Sequence, residues 1–345
     1  MSPGELSTIL VWGATAAYAI AFVAFAIDLA RLADTRTAAR TDARRTLVTA
    51  GASAASGGVD GAPSGAVSGA AGAAAPGGAS AGGPGAGGAG AAVRRRAVGI
   101  AMSTTVLGLV FHVAGAVLRG LAAGRVPWAN MYEFTVIGTL VAVGTFVGLT
   151  RWRDVRFLGT IVVGLAVVAL GLALAVFWLP ADPVEPVLQS WWLVIHVSIA
   201  TISAGLLTVS FAASALQLLR DSRERGSARV AGPRWRMLDA LPPARELEAL
   251  SFRITAVGFV LWTFTVMAGA IWAEHTWGRY WGWDPKEVWS FVVWVVYAAY
   301  LHARTTAGWS GRRAAWFVIA GYATVIFNFT GVNLFFQGLH SYSRL

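Results

Sequence analysis

Long apolar runs separated by short polar stretches dominate the chain. Eight of them approach or exceed the roughly 20 residues that a helix needs to cross a bilayer. They lie near 8–30, 98–120, 131–150, 157–178, 191–219, 250–273, 286–303 and 314–336. The pattern predicts an all-α fold, a polytopic membrane helix bundle of about eight transmembrane helices. The first run does not read as a cleaved signal peptide, because it lacks a basic leading region and its arginines follow it.

Composition agrees with this class. Hydrophobic residues make up 56% of the 345 positions and charged residues 13%, about half the roughly 25% typical of soluble domains. The net charge of +10 therefore reads as a topology signal and not as a nucleic-acid footprint. Of the 27 basic residues, 22 fall on loops after spans one, three, five and seven, with their flanks. The positive-inside rule then puts both termini outside and the loop between spans six and seven on the outer face. The absence of cysteine excludes disulfides, thiolate metal sites and thiol chemistry by this chain.

Three regions follow along the sequence. Residues 1–49 hold the first transmembrane helix and an inner basic flank. Residues 50–92 are nearly all Gly, Ala, Ser and Pro, too poor in apolar surface to order themselves, and read as a disordered cytoplasmic linker. Residues 93–345 form the remaining transmembrane domain. Within it, 220–249 is a second long inner loop, with Ala244–Ala249 expected as a short surface helix.

Sixteen tryptophans are present. Interface anchoring accounts for Trp12, Trp152, Trp178 and Trp309. It does not account for the density between 277 and 294. Span six is expected to end near Trp272 and span seven to start near Lys286. The intervening loop carries Trp277, Tyr280, Trp281 and Trp283, with Gly278 and Gly282 giving room for bending and for a flat ligand. Asp284-Pro285 with Glu287 has the form of a helix N-cap, a proline at the first helical position and an acid in the first turn. The residues alone are equally consistent with an interfacial amphipathic loop and with a shelf for a planar apolar ligand. Haem would suit such a shelf, with Arg279 or Lys286 meeting its propionates.

The run Trp277-Gly-Arg-Tyr-Trp-Gly-Trp-Asp-Pro-Lys-Glu-Val-Trp289 closely resembles the WWD signature of the haem-handling CcsA/ResC and CcmC/CcmF superfamily. Pro127-Trp-Ala-Asn-Met-Tyr-Glu133 and Tyr297-Ala-Ala-Tyr-Leu-His-Ala-Arg304 are similar to the CcsA branch. The resemblance covers roughly residues 98 to 340. It implies that the 277–289 loop holds haem b at the outer face of the plasma membrane, through Trp277, Gly278, Arg279, Tyr280, Trp281, Trp283 and Asp284. It also implies a ResB/Ccs1-type membrane partner, apocytochrome c as the protein substrate, and a place in a holocytochrome c synthase of system II.

Five histidines remain to be weighed. His196, near the outer end of span five, and His340, beyond span eight, lie on the side of the aromatic loop. The resemblance matches both to outer axial ligands of haem iron, against the plainer reading of hydrogen-bonded packing residues. Thr330, Asn333, Gln337 and His340 recur at steps of three and four, which predicts one polar helix face leading to the outer surface. His302, at the inner end of span seven, matches a ligand of a second haem shared with the partner. The plainer alternative is a juxtamembrane residue reaching interfacial water. His112, Arg119 and Glu133 read first as a structural polar network. His275 reads as a loop residue without a role.

These readings leave rival functions open: a haem exporter, a CcmC-like haem-loading protein without a ligation role, or a structural subunit of a respiratory complex. The last usually places paired histidines at mid-depth, whereas here they lie toward the ends of spans.

Overall fold

The computed structural model describes residues 1–56, 86–181 and 190–340, and the described residues contain helices and no strand. Eight long helices follow in order: α1 (Pro3–Ser56), α2 (Ala86–Ala123), α3 (Met131–Trp152), α4 (Gly159–Ala175), α5 (Trp191–Glu224), α6 (Ala244–Trp277), α7 (Pro285–Thr306) and α8 (Arg312–Ile326). A π turn, Phe327–Gly331, and a short helix, Val332–Phe335, extend α8. Among the described residues, seven segments are long and apolar enough to span a membrane. The eighth, α7, has 22 residues, about 33 Å at 1.5 Å per residue, and its tryptophans and tyrosines lower its hydropathy. The protein is thus a polytopic membrane helix bundle.

Helices with apolar surfaces all round gain little hydrophobic association inside lipid, so close approach and hydrogen bonds hold them together. A Cβ at Gly108 of α2 would lie 2.7 Å from the Tyr18 ring of α1, and one at Gly258 of α6 would lie 2.9 Å from Leu207 of α5. Both glycines let neighbouring helices approach. A seam of hydroxyls also joins α5 to α6: Ser214 to Ser251 at 2.7 Å, Ser210 to Ser251 at 2.9 Å, and Ser203 donating to Gly258 O at 2.7 Å.

Several expectations are corrected by the helix boundaries. Ala244–Ala249 is not a separate surface helix, because α6 starts at Ala244 directly after Pro243. His275 is not a loop residue. Helix α6 runs to Trp277 and closes on Gly278 in the left-handed conformation, φ 69°, so the aromatic loop shrinks to 278–284. The continuous polar stripe to His340 is also absent. The π turn shifts the helical phase, and Phe336, extended at φ −121°, ends the helix before Gln337. Asn328 and Asn333, five residues apart, share the inward face instead. The linker expected at 50–92 lies at 57–85 outside the described residues, and its two ends continue α1 and α2.

Candidate functional site

Helices α3 to α8 enclose a cavity of about 310 Å³ with a mainly apolar lining. Along α5 its lining runs from Leu193 to Thr208, about 22 Å of helix. Trp272, Lys286 and His340 of its lining lie next to the 278–284 loop in the chain or the fold. His196 and His340 both line the cavity.

These two imidazoles share one neighbour. The His196 ring lies parallel to Trp272, with centroids 6.4 Å apart and 6° between planes. The His340 ring is 5.6 Å from the same indole and 5.0 Å from Trp277. Trp272 is 1% exposed and lies between chain segments far apart in sequence.

Both rings are held by the same nitrogen. His196 Nδ1 donates to the backbone carbonyl of Thr265 at 2.9 Å. A carbonyl only accepts, so the proton sits on Nδ1 and the Nε2 lone pair of the neutral ring is free. His340 Nδ1 donates to Asp284 Oδ1 at 2.7 Å, with the same consequence. An imidazole with Nδ1 fixed by a carbonyl or carboxylate and Nε2 open is the usual arrangement of a metal-ligating histidine. Gly269 contributes by being small: a Cβ there would lie 2.8 Å from His196 Cε1.

Asp284 is the hub of the loop. It is the N-cap of α7 and forms a capping box with Glu287, so the sequence reading of a helix start holds. Its second oxygen accepts from Leu339 N at 2.7 Å, which ties the segment after α8 to the start of α7. Burial pushes the Asp284 carboxyl up, but the hydrogen bond from His340 and those from the N–H groups of Lys286 and Leu339 hold it below the ordinary carboxylate range.

The aromatic residues of the loop are placed differently from one another. Trp277 packs against the buried cluster of Leu193, Val197 and Trp272. Trp281 meets Trp283 edge-on at 5.8 Å. Tyr280 and Trp283 are exposed, and Trp283 has φ 61°, a conformation that is strained for a bulky residue. Arg279 lies over Trp277 and pairs with Glu287 at 3.2 Å. Residues 278–284 do not line the cavity. They form its outer neighbourhood, with Gly278 ending α6 and Gly282 N donating to Glu287 at 2.7 Å.

A second motif shapes the opposite wall. Glu133, at the start of α3, accepts from Arg119 Nε at 2.9 Å, Arg125 at 2.7 Å and Ala129 N at 2.8 Å. This network pins the 124–130 loop, and Trp128, Ala129 and Asn130 line the cavity as a result. His112 is outside it: its Nδ1 meets the Tyr18 hydroxyl at 3.3 Å. His302 is exposed at the opposite end of α7 and does not line the cavity.

Sequence reading missed three participants: Thr265, Gly269 and Trp272. They recur on α6 at steps of four and three, so they share the face that meets His196. That spacing was a readable signal once His196 was singled out. Of the two cations expected to face a ligand, Arg279 and Lys286, Lys286 lines the cavity and Arg279 does not.

Comparison with known proteins supplies the family. Residues 128–340 match the family model described as Cytochrome C assembly protein. The chain is 36% identical over 268 residues to the cytochrome c biogenesis protein CcsA of Parasynechococcus marenigrum (strain WH8102), covering 71% of this chain and 86% of that one. It is 37% identical over 254 residues to CcsA of Prochlorococcus marinus (strain MIT 9303), covering 66% and 78%. Among solved structures, the cytochrome c haem lyase CcmF superimposes with a TM-score of 0.59 at 16% identity. That match covers 95% of this chain and 47% of the longer CcmF chain, and at this identity it is a likeness of fold.

Proposed function

This chain belongs to the cytochrome c assembly protein family, as a CcsA-type cytochrome c biogenesis protein, and from that premise we propose that it is the haem-binding subunit of a cytochrome c synthase. In this reading it delivers haem b to the outer face of the plasma membrane and presents it for covalent attachment to apocytochrome c. The observation that carries the reading is the pair His196 and His340. Their Nδ1 atoms are both committed, their Nε2 atoms are both open, and both rings lie against one buried indole in one apolar cavity.

The donor set fits the group. Haem iron needs only axial ligands from protein, since the porphyrin supplies the other four. Among the described residues no group of three His, Cys, Asp or Glu side chains could hold a bare ion. His196 and His340 would hold the iron, with Trp272 and Trp277 as the aromatic wall beside them. The exposed ring of Trp283 and that of Tyr280 form the outer rim on which the protein substrate docks. When bound, haem supplies vinyl groups to which the two thiols of apocytochrome c add. The absence of cysteine here leaves those thiols to the substrate.

His302 lies at the other end of the bundle, exposed on α7. Its position suits a ligand completed by a ResB/Ccs1-type partner, on the side where haem enters. The arginine-rich helix ends on that side support a cytoplasmic placement.

A maturation assay tests the reading. The chain and its partner are expressed with a c-type cytochrome reporter in cells lacking their own maturation system, and covalently bound haem is measured. The wild type yields stained reporter, and the His196→Gly, His340→Gly double variant loses most of it. Maturation of the reporter by externally supplied haem without this chain would favour a haem exporter instead. Full yield from the double variant would remove the assignment.

A further inference from the structure

The cavity wall holds one amine side chain and no carboxylate. The amine is that of Lys286, in the first turn of α7. The ammonium donates to the backbone carbonyl of Asn328 at 2.7 Å. An ammonium has three N–H donors, so two remain. Among the described residues Lys286 forms no ion pair with a carboxylate. Asp284, its neighbour in sequence, instead accepts from His340 and from the backbone N–H groups of Lys286 and Leu339.

Two uncommitted donors line the same cavity. The Thr265 hydroxyl and the Trp272 indole nitrogen are buried without a hydrogen-bond partner. Buried donors left unpaired are costly, and an ammonium without a counter-charge in a membrane-embedded cavity is costlier still. A positive charge and a surplus of donors in an otherwise apolar chamber describe a site whose ligand brings the negative group.

We infer that Lys286 forms a carboxylate-binding subsite inside the cavity, which seats one carboxylate of an amphipathic ligand whose metal is held by His196 and His340. The inference rests on the haem reading above and sharpens it: the carboxylate is a porphyrin propionate. Arg279, the other cation near the loop, is ruled out for this role by its pairing with Glu287 and by its absence from the cavity wall. The π turn at Phe327–Gly331 is part of the subsite, because it turns the Asn328 carbonyl to Lys286 and the Asn328 amide to Ser290 at 3.3 Å.

Binding of two porphyrins tests this. The full-length chain in detergent, stripped of haem, is titrated with iron protoporphyrin IX and with its dimethyl ester. Binding is read from quenching of tryptophan emission, and ligation from the Soret band. The wild type should prefer the free acid by about 10- to 100-fold, the range of one charge-assisted hydrogen bond. Lys286→Met should shrink that preference to about twofold or less, and Lys286→Arg should keep part of it. Equal binding of acid and ester by the wild type overturns the subsite, even if Lys286→Met fails to fold. So does a Lys286→Met variant that weakens both ligands equally. In either case a Soret band that still depends on His196 and His340 leaves the haem reading standing. If neither porphyrin gives such a band, that reading fails and this inference falls with it.

Discussion

His340 Nδ1 reaches Asp284 Oδ1 at 2.7 Å across 56 residues of sequence. One carboxylate therefore starts α7, fixes the segment after α8 and sets the tautomer of a candidate iron ligand. The loop and the last span act as one unit for this reason. Replacing Asp284 by Ala removes the cap, at about 1 kcal/mol, and frees the His340 ring. Loss of such an orienting partner typically costs 10- to 100-fold in metal affinity. Haem titration of the variant should show that weakening together with a small drop in melting temperature. Unchanged affinity would mean that His340 is oriented by something else.

The same carboxylate gives a pH dependence. Its folded value is held below that of the unfolded chain, about 3.9. Stability from such a group is fully present above the unfolded value and is lost as pH falls through the folded one. The difference in melting temperature between wild type and Asp284→Ala should therefore stay constant from pH 8 to pH 5 and close only below about pH 4. Closure between pH 7 and pH 5 would contradict the assignment.

Gly269→Ala separates stability from binding. Alanine favours a helix interior by about 1 kcal/mol over glycine, so α6 should be no less stable. The new Cβ would meet the His196 ring at 2.8 Å and displace Nε2 from the cavity. Expected are an unchanged or raised melting temperature and a weakened or altered Soret band. A normal band would show that the ring has room to shift without consequence.

Glu133→Gln addresses the wall. Arg119 is 3% exposed and the Glu133 side chain fully buried, so removing the charge leaves two arginines without their carboxylate. Breaking a buried pair of this kind costs about 3–5 kcal/mol. Thermal unfolding should register that loss. A change below about 1 kcal/mol, the level of a surface pair, would mean that water reaches the network.

Much of this was legible in the sequence, and the illegible part has a common cause. Spans could be read because apolar length is a local property, and the Asp284 cap because its chemistry lies within four residues. The Glu133–Arg119 pair followed from charge in an apolar setting. The end of α6 was misplaced because Glu274, His275 and Thr276 look like loop residues, yet they face outward on a continuing helix. The stripe through Thr330 and Gln337 was misread because a π turn is set by packing between helices and leaves no local signature. Which of Arg279 and Lys286 faces the cavity was open for the same reason. The direction of Lys286 depends on Asn328, 42 residues away.

The most direct test of the account is the absorption spectrum of the purified protein with haem bound, in wild type and in His196→Gly and His340→Gly, each with and without added imidazole. The account predicts a six-coordinate low-spin spectrum for the wild type, its loss in each single variant, and its return on addition of imidazole, which fills the vacated space beside Trp272. A low-spin spectrum that persists in either variant without imidazole would contradict the assignment of that histidine as an iron ligand.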